Sequence, residues 1–209
     1  MNTTSLLAAA ALAALAATGQ PVWAQSSNLN LWTRAGDVQI TSPTAATITT
    51  AAALNGEIPV TANSALLFDA LEVALSIGGA TAADTYVGSG LAASFSADAG
   101  TTVRFDWTLS TVGFDAAFAD RAFVVVDGAP AVDFAVVGNA PLSGSFSYTF
   151  TTAGSHSLAF AVMDVNDVLG VSTLAVSNFS VSAVPEASTL GMMFAGLGLV
   201  AAAARRRRG

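Results

Sequence analysis

The feature that most constrains the fold is an alternation of apolar and polar residues with a period of two, which recurs through the middle of the chain. In TVRFDWTLS, residues 102–110, every second side chain is large and apolar, namely Val103, Phe105, Trp107 and Leu109. Successive side chains of a β-strand point to opposite faces of the sheet. The pattern therefore predicts a half-buried strand of an antiparallel sheet. The same alternation recurs in GSFSYTF at 144–150, HSLAFAV at 156–162 and STLAVSNFSVS at 172–182.

The spacing of these segments indicates the fold class. Seven or more strands follow one another at intervals of about ten residues, with turn signals such as Asp127-Gly128 between them. This spacing is typical of a two-sheet β-sandwich, and we predict one all-β, jelly-roll-like domain over residues 25–183. The stretch LFDALEVALSIGG, residues 67–79, is ambiguous, since it fits either a strand pair or a short helix.

Composition and charge exclude several classes of function. The chain of 209 residues has no cysteine, no lysine and one histidine, His156, so disulfides and thiolate chemistry are excluded. Between Gln25 and Val184 the chain contains thirteen acidic residues and three arginines, which gives this segment a formal charge of −10. Such a surface repels phosphate backbones, which argues against nucleic-acid binding.

The same inventory argues against catalysis. The sequence contains no Gly-x-Ser-x-Gly motif, and no two of its carboxylates stand out as a catalytic pair. His156 follows Gly154-Ser155 at a predicted hairpin turn and is expected to be an isolated, exposed residue. We therefore predict no enzymatic activity and assign no catalytic residue.

The N-terminal segment predicts export. Leu6 to Ala17 is an unbroken apolar run of the length of a signal-peptide core. Val22-Trp23-Ala24 then offers small residues at positions −3 and −1 of a cleavage site. We predict a signal peptide over residues 1–24 and a mature chain that begins at Gln25. A buried N-terminal helix is the alternative.

The C-terminal segment predicts a membrane helix of fixed orientation. Residues 187–204 form a stretch of 18 residues without charge, which as a helix is about 27 Å long and near the lower limit for crossing a hydrocarbon core. The arginines that follow would stay in the cytoplasm by the positive-inside rule. We predict a transmembrane helix over 187–204 that is stopped by Arg205, Arg206, Arg207 and Arg208. A plain tail anchor is the simpler alternative.

The whole tail, residues 184–209, resembles the PEP-CTERM protein-sorting signal. The resemblance rests on Val184-Pro185-Glu186, the apolar helix and the arginine cluster, in that order. The family's usual core is Val-Pro-Glu-Pro, and Ala187 replaces its second proline here, within the motif at 184–187. The resemblance implies cleavage near this motif by a membrane enzyme of the exosortase type and delivery to the surface of a Gram-negative bacterium that makes exopolysaccharide. The same tail is also known as the ice-binding protein C-terminal domain, a name that implies no activity.

A second resemblance covers Thr102 to Val181. The strand around Trp107, the run DAAFADRAFVVVDG and the ending VMDVNDVLGVSTLAVSNFSV are similar to surface domains found upstream of PEP-CTERM tails. Those domains are jelly-roll-like and similar in outline to carbohydrate-binding modules. Asp120 and Arg121 stand where those domains more often have Asn-Asp.

Oxygen-bearing side chains cluster in MDVNDVLG, residues 163–170. Asp164, Asn166 and Asp167 lie within four residues and precede Gly170. Such ligands suit Ca²⁺, although the spacing is not that of an EF-hand. A solvated Asx turn without metal is the favoured interpretation. The alternative is a calcium site with Asp115 and Asp120 as further ligands.

Four aromatic side chains are candidates for stacking on a sugar ring: Trp32, Trp107, Tyr86 and Tyr148. Trp107 is expected in the core because it alternates with core residues, whereas Trp32, near the mature N-terminus, is a candidate for exposure. The Thr-rich stretch TAATITTAAAL, residues 44–54, is a candidate surface for binding ice or another crystal.

Together these features predict an exported, surface-sorted structural or binding protein, at the cell surface or outside the cell. Its expected partners are the processing enzyme, the inner membrane before processing, and extracellular polysaccharide. The alternatives are a carbohydrate-binding module with structural calcium, an ice-binding or surface-binding protein, and a hydrolase.

Overall fold

Two antiparallel β-sheets contain most of the described backbone. The computed structural model describes residues 27–81, 84–182, 194–197 and 205–206. The first sheet consists of β1 (Thr33–Ala35), β4 (Leu66–Leu67), β5 (Thr85–Ala97), β7 (Arg121–Val126), β8 (Val132–Val136) and β10 (Gly154–Val165). The second consists of β2 (Asp37–Ser42), β3 (Ala45–Thr49), β6 (Thr102–Val112), β9 (Leu142–Thr149) and β11 (Val171–Ser182). Helix α1 (Phe68–Leu75) and 3₁₀ turns at Leu29–Leu31 and Ala53–Asn55 lie between the strands.

The strand order shows how the chain passes between the sheets. The first sheet has the order β1-β5-β10-β7-β8, with β4 also paired to β5, and the second has the order β2-β3-β11-β6-β9. From β3 onward the chain changes sheet at every connection except β4 to β5 and β7 to β8. This is the jelly-roll arrangement of a two-sheet sandwich. The predicted all-β fold with two antiparallel sheets is confirmed.

Aromatic side chains fill the space between the sheets. Phe105 of β6, Phe160 of β10 and Phe179 of β11 are buried, and their ring centroids lie 5.1 to 6.4 Å apart. The predicted alternation of β6 is present, since Val103 and Phe105 are buried while Arg104 is exposed. Burial of several large rings in one layer supplies much of the hydrophobic stabilisation of such a sandwich.

Of the two tryptophans considered as sugar platforms, Trp32 is buried in the core, and Trp107 is partly buried and packs against the core. Trp32 follows the first 3₁₀ turn and lies edge-on to Phe179, with ring centroids 4.9 Å apart and 4% of the residue exposed. The expectation that Trp32 is exposed is wrong, because proximity to a chain end does not determine tertiary packing. Trp107 packs against Phe134, as expected of a core residue. Gly144 makes room for it, since a Cβ there would lie 2.6 Å from Trp107 Cζ2.

The ambiguous stretch at 67–79 contains a helix rather than a strand pair. Helix α1 packs Leu71 and Leu75 against the outer face of the first sheet, where they form a second, smaller core. The helix comes close because β5 carries glycines beneath it. A Cβ at Gly90 would lie 2.9 Å from Leu75 Cδ1 and 2.7 Å from Ala161 Cβ, so a larger residue there would push the helix away.

The predicted targeting segments lie largely outside the described residues. This applies to the signal peptide at 1–24, to Val184-Pro185-Glu186, and to Arg207 and Arg208. Within the predicted membrane helix at 187–204, residues 194–197 are described as helical and exposed, as are Arg205 and Arg206 beyond it. Among the residues whose structure is described, no helix is both long enough and apolar enough to cross a membrane.

Candidate functional site

A buried carboxylate holds the loop between β3 and β4 against the second sheet. Asp37, at the start of β2, is fully buried. Its Oδ2 accepts hydrogen bonds from Thr49 Oγ1 and from the Val60 amide at 2.8 Å, and its Oδ1 accepts from the Thr61 amide at 2.8 Å and from Thr61 Oγ1 at 2.6 Å. These four donors offset the cost of burying the charge. Because three of them belong to the loop, they fix its position.

The fixed loop forms one wall of a groove with a volume of about 960 Å³, which we call the Tyr86 groove. Its other walls come from β1, β4, β5 and α1. Leu54, Leu67 and Tyr86 contribute exposed apolar or aromatic surface. The polar lining comes from Arg34, Asn55, Asn63 and Ser64. An apolar surface with a few polar groups, in a groove of this size, is typical of a ligand site.

Tyr86 is the one candidate aromatic residue that the structure places in this groove. The residue lies on β5 and is 46% exposed. Arg34 of β1 also lines the groove and makes no ion pair within the described residues. Tyr148, by contrast, lies on β9 of the second sheet with its ring edge-on to Phe150, at a centroid distance of 5.1 Å.

Two buried aspartates lie between the sheets at one end of the sandwich. Asp164 is on the inward face of β10, at the edge of the aromatic core, and only 1% of it is exposed. Asp120 directly precedes β7 and is 4% exposed. Its carboxylate accepts hydrogen bonds from Ser172 Oγ at 2.5 Å and from the Val165 amide at 3.3 Å. The surrounding protein therefore stabilises the carboxylate of Asp120 with two hydrogen bonds.

Asp164 lacks the hydrogen bonds that Asp120 receives. Neither Oδ1 nor Oδ2 of Asp164 has a hydrogen bond of ordinary geometry, but the Thr50 hydroxyl and the Asp120 carboxyl lie close enough to act as its hydrogen-bond partners, the first lowering and the second raising its pKa. Asp167, in the loop after β10, also has a buried Oδ2 without a donor. Asp120, Asp164 and Asp167 are called the carboxylate cluster.

Burial changes the acidity of this pair. Burial raises the pKa of Asp164 to about 9, and the negative charge of Asp120 acts in the same direction. Burial also raises the pKa of Asp120, against the opposing effect of its hydrogen bonds from Ser172 and Val165. A pKa of about 9 leaves Asp164 protonated near neutral pH, so that its carboxyl group can donate a hydrogen bond to Asp120.

The structure brings together only part of the predicted calcium set. Asp120, Asp164 and Asp167 are neighbours, and the charge of Asp167 adds to the raised pKa of Asp120. Asn166 is exposed with a left-handed φ of 60°, and Asp115 accepts a hydrogen bond from the Ala117 amide within its own loop. Among the described residues, no three acidic or histidine side chains have the spacing of a preformed metal site.

The Thr-rich stretch at 44–54 is not a continuous free surface. It contains β3, an inner strand of the second sheet, and Thr49 and Thr50 are buried. Thr49 Oγ1 donates to Asp37, and Thr50 Oγ1 accepts a hydrogen bond from the Ser172 amide at 3.0 Å. Two of the hydroxyls that an ice-binding surface would need are therefore used in the interior.

His156 is buried and paired, so the expectation of an isolated, exposed residue is wrong. It is 7% exposed, and its ring centroid lies 4.2 Å from that of Phe150. Nδ1 is 2.8 Å from Asp127 Oδ2, and Nε2 is 3.0 Å from the Thr152 carbonyl oxygen. Two acceptors, one at each ring nitrogen, favour the protonated ring. The bond to Asp127 raises the pKa of His156, and burial opposes this only in part.

This pair predicts a stability that depends on pH. A raised histidine pKa contributes stability that is fully present below the pKa of unfolded histidine, about 6.5, and is lost as the pH rises through the higher folded value. Because His156 is the chain's one histidine, an NMR titration reports it directly. We expect a midpoint above 6.5 that falls in Asp127→Asn, since asparagine tolerates the left-handed φ of 53° at that position. A wild-type midpoint at or below 6.5 would contradict the pairing.

Comparison with known proteins accounts for the C-terminal segment. Residues 183–208 match the PEP-CTERM protein-sorting motif, which confirms the resemblance noted in the sequence. This match implies export and sorting to the cell surface. A comparison of the chain with curated proteins gives no match.

Solved structures to which this chain shows a weak similarity include carbohydrate-binding domains. A CBM4 structure has 14% identity and a TM-score of 0.37, covering 74% of this chain and 96% of its own. TmCBM61 in complex with β-1,4-galactotriose has 10% identity and a TM-score of 0.36, covering 78% and 95%. The N-terminal cellulose-binding domain of Cellulomonas fimi β-1,4-glucanase C has 14% identity and a TM-score of 0.33, covering 74% and 90%. At these TM-scores, the similarity assigns no function to this chain.

Proposed function

We propose that this chain is an exported, surface-sorted protein whose β-sandwich binds an extracellular polysaccharide in the Tyr86 groove. Sorting is supported by the PEP-CTERM motif at 183–208. Binding is carried by one observation, the exposed Tyr86 ring inside a groove of about 960 Å³.

The chemistry of the groove suits a sugar chain. A pyranose ring has an apolar face, which packs on an aromatic ring, and hydroxyl groups around its edge. Tyr86 offers the ring, while Arg34, Asn55 and Asn63 offer donors and acceptors for the hydroxyls. The guanidinium of Arg34 is engaged in no ion pair with the described residues, so its N–H groups remain available for a ligand.

The targeting segments define the proposed route to the surface. The signal peptide at 1–24 directs export, and the helix at 187–204 with Arg205–Arg208 holds the precursor in the inner membrane. An exosortase-type enzyme then cleaves near Val184-Pro185-Glu186. The product is released to the surface of a Gram-negative bacterium that makes exopolysaccharide, where the sandwich meets its ligand.

The geometry favours binding over hydrolysis. Glycoside hydrolysis requires two carboxyl groups that flank the bond to be cleaved. Asp120 and Asp164 form a carboxyl pair, but they are 4% and 1% exposed between the sheets, where a sugar chain has no access. The Tyr86 groove contains no aspartate or glutamate among its described lining residues.

Affinity electrophoresis tests the proposal, with exopolysaccharide purified from the bacterium that makes the protein. We expect the wild-type protein to be retarded and Tyr86→Ala to bind at least about tenfold more weakly, because one central aromatic contact is commonly worth more than 1.4 kcal/mol. Tyr148→Ala is the matched control, since Tyr148 is a partly exposed tyrosine on the other sheet, and its binding should equal that of the wild type. Equal binding by Tyr86→Ala, or no binding by the wild type, would refute the groove as the site.

A further inference from the structure

We propose that the polysaccharide bound in the Tyr86 groove carries carboxylate groups, as uronic acids do, and that Arg34 selects it by pairing with one of them. The inference rests on the proposed function and adds to it the class of sugar and the residue that determines specificity. In a uronic acid a carboxylate replaces the terminal CH₂OH group, so the charge lies at the edge of the sugar ring. Tyr86 then contacts the face of a ring, while Arg34 binds a carboxylate at an edge.

The guanidinium of Arg34 has no partner within the described part of the chain. Arg34 lies on β1 and is exposed, and it makes neither an ion pair nor a side-chain hydrogen bond with the described residues. Arg121, by contrast, pairs with Asp84 and Asp133. The planar guanidinium presents N–H donors that match the two oxygens of a carboxylate. Arg34 can therefore bind an anionic ligand without first breaking a contact within the protein.

No carboxylate among the described lining residues of the Tyr86 groove competes for Arg34, since the lining includes neither aspartate nor glutamate. Two carboxylates near the loop wall bond to the backbone of the loop instead. Asp37 accepts hydrogen bonds from two of its amides, and Glu57 Oε2 accepts one from the Ala52 amide at 2.6 Å. These bonds hold the negative charges within the wall.

Helix α1 also keeps its acidic residues out of the groove lining, to which it contributes two alanines. Glu72 accepts hydrogen bonds from the amides of Gly79 and Thr81, at 2.8 and 2.9 Å. Asp69 is exposed to solvent, where salt screens its charge beyond about 8 Å at physiological ionic strength. The helix therefore leaves Arg34 as the charged residue of the described lining.

The charge of the groove is thus opposite to that of the domain around it. Residues 25–184 have a formal charge of −10, yet the groove presents a cation. Covering an arginine with a neutral sugar removes water from its charge without supplying an opposite charge, which a carboxylate does supply. The domain as a whole repels densely charged polyanions. These two effects together favour a polysaccharide whose acidic sugars are separated by neutral ones.

The backbone around Arg34 is held in position before a ligand binds. β1 pairs with β5, with Arg34 opposite Leu91. Directly after β1, the Asp37 amide donates to Ser89 Oγ at 2.8 Å, and Gly36 permits this approach, because a Cβ there would clash with Ser89 Oγ. The carboxylate of the same Asp37 holds the loop wall. A groove with fixed walls loses less conformational entropy when it binds.

Affinity electrophoresis of the full chain in detergent tests the inference with two forms of the exopolysaccharide from the bacterium that makes the protein. One is the native polymer, and the other is the same polymer with its carboxylates chemically reduced to alcohols. We expect the wild type to bind the reduced polymer about tenfold more weakly, because charge-assisted hydrogen bonds are lost. Arg34→Gln should bind both forms equally, at the wild-type affinity for the reduced polymer. Arg104→Gln, at an exposed arginine of the second sheet, is the matched control and should keep the wild-type preference.

The outcomes separate this inference from the proposed function. Equal binding of both polymers by the wild type, with Tyr86→Ala weaker on both, would overturn the inference and leave a groove for neutral sugars. A preference for the native polymer that persists in Arg34→Gln would also overturn it. Absence of wild-type binding to either polymer would overturn the proposed function and the inference with it. Because Arg34→Gln and the wild type should bind the reduced polymer equally, a folding defect is distinguished from a lost ion pair.

Discussion

Replacing Asp37 with alanine is expected to lower the free energy of unfolding by about 3 kcal/mol or more. The change removes the acceptor for the hydroxyls of Thr49 and Thr61 and for the amides of Val60 and Thr61. Each buried donor left unsatisfied costs about 1–3 kcal/mol, and part of that cost is recovered when the loop moves and its donors reach water. Urea unfolding measures the effect as a lower midpoint with an unchanged slope.

The same substitution should abolish polysaccharide binding, because the loop that Asp37 holds is a wall of the Tyr86 groove. Asp98→Ala is the matched control, since Asp98 is exposed, and its stability should stay within about 0.5 kcal/mol of the wild type. An Asp37→Ala protein as stable as this control would show that the buried carboxylate does not hold the loop.

Local patterns predicted the strands because a strand's two faces are encoded in consecutive residues. The alternation in β6 placed Val103 and Phe105 in the core, and the structure agrees. Asp127-Gly128 predicted a turn, and both residues have positive φ, at 53° and 69°, between β7 and β8. Such angles are what Asp and Gly tolerate best.

Where the local sequence pattern was ambiguous or uninformative, contacts with residues distant in the sequence determine the structure. The helix at 68–75 depends on the small residues Gly88 and Gly90, which lie on a later strand and allow close packing. His156 looked isolated because its partner Asp127 lies in the turn between β7 and β8, far from it in the sequence, and the predicted hairpin turn at Gly154-Ser155 is instead a connection between the two sheets. The sequence pattern around the helix and around His156 does not indicate these contacts.

The candidate sites also contain residues that only the tertiary structure brings together. The carboxylates of the MDVNDVLG loop were visible in the sequence, and Asp120 was considered as a further ligand. The hydroxyls of Thr50 and Ser172 were not, because they reach the cluster only through the pairing of β3 with β11. Asp37 had no local signal either, since three of its four donors lie in a loop well beyond its own strand.

The second large effect concerns the tail, where processing is expected to be all-or-none. A precursor that keeps the apolar stretch and its four arginines is expected to be held in the inner membrane, because 18 uncharged residues would form a helix about 27 Å long and the arginines would stay in the cytoplasm. The proposed cleavage near Glu186 would remove both features at once, and a proline at 185 disfavours helix at the residue before it, as a processing site requires. The mature chain should therefore move completely from the inner membrane to the surface.

Intact-mass measurement of the native protein, combined with cell fractionation, tests surface sorting most directly. The account predicts a species that begins at Gln25, lacks the residues beyond about Glu186, and is found outside the inner membrane. A species in the inner membrane that retains Arg205–Arg208 would contradict it. That result would show that Ala187, in place of the motif's second proline, leaves the protein as an anchored domain.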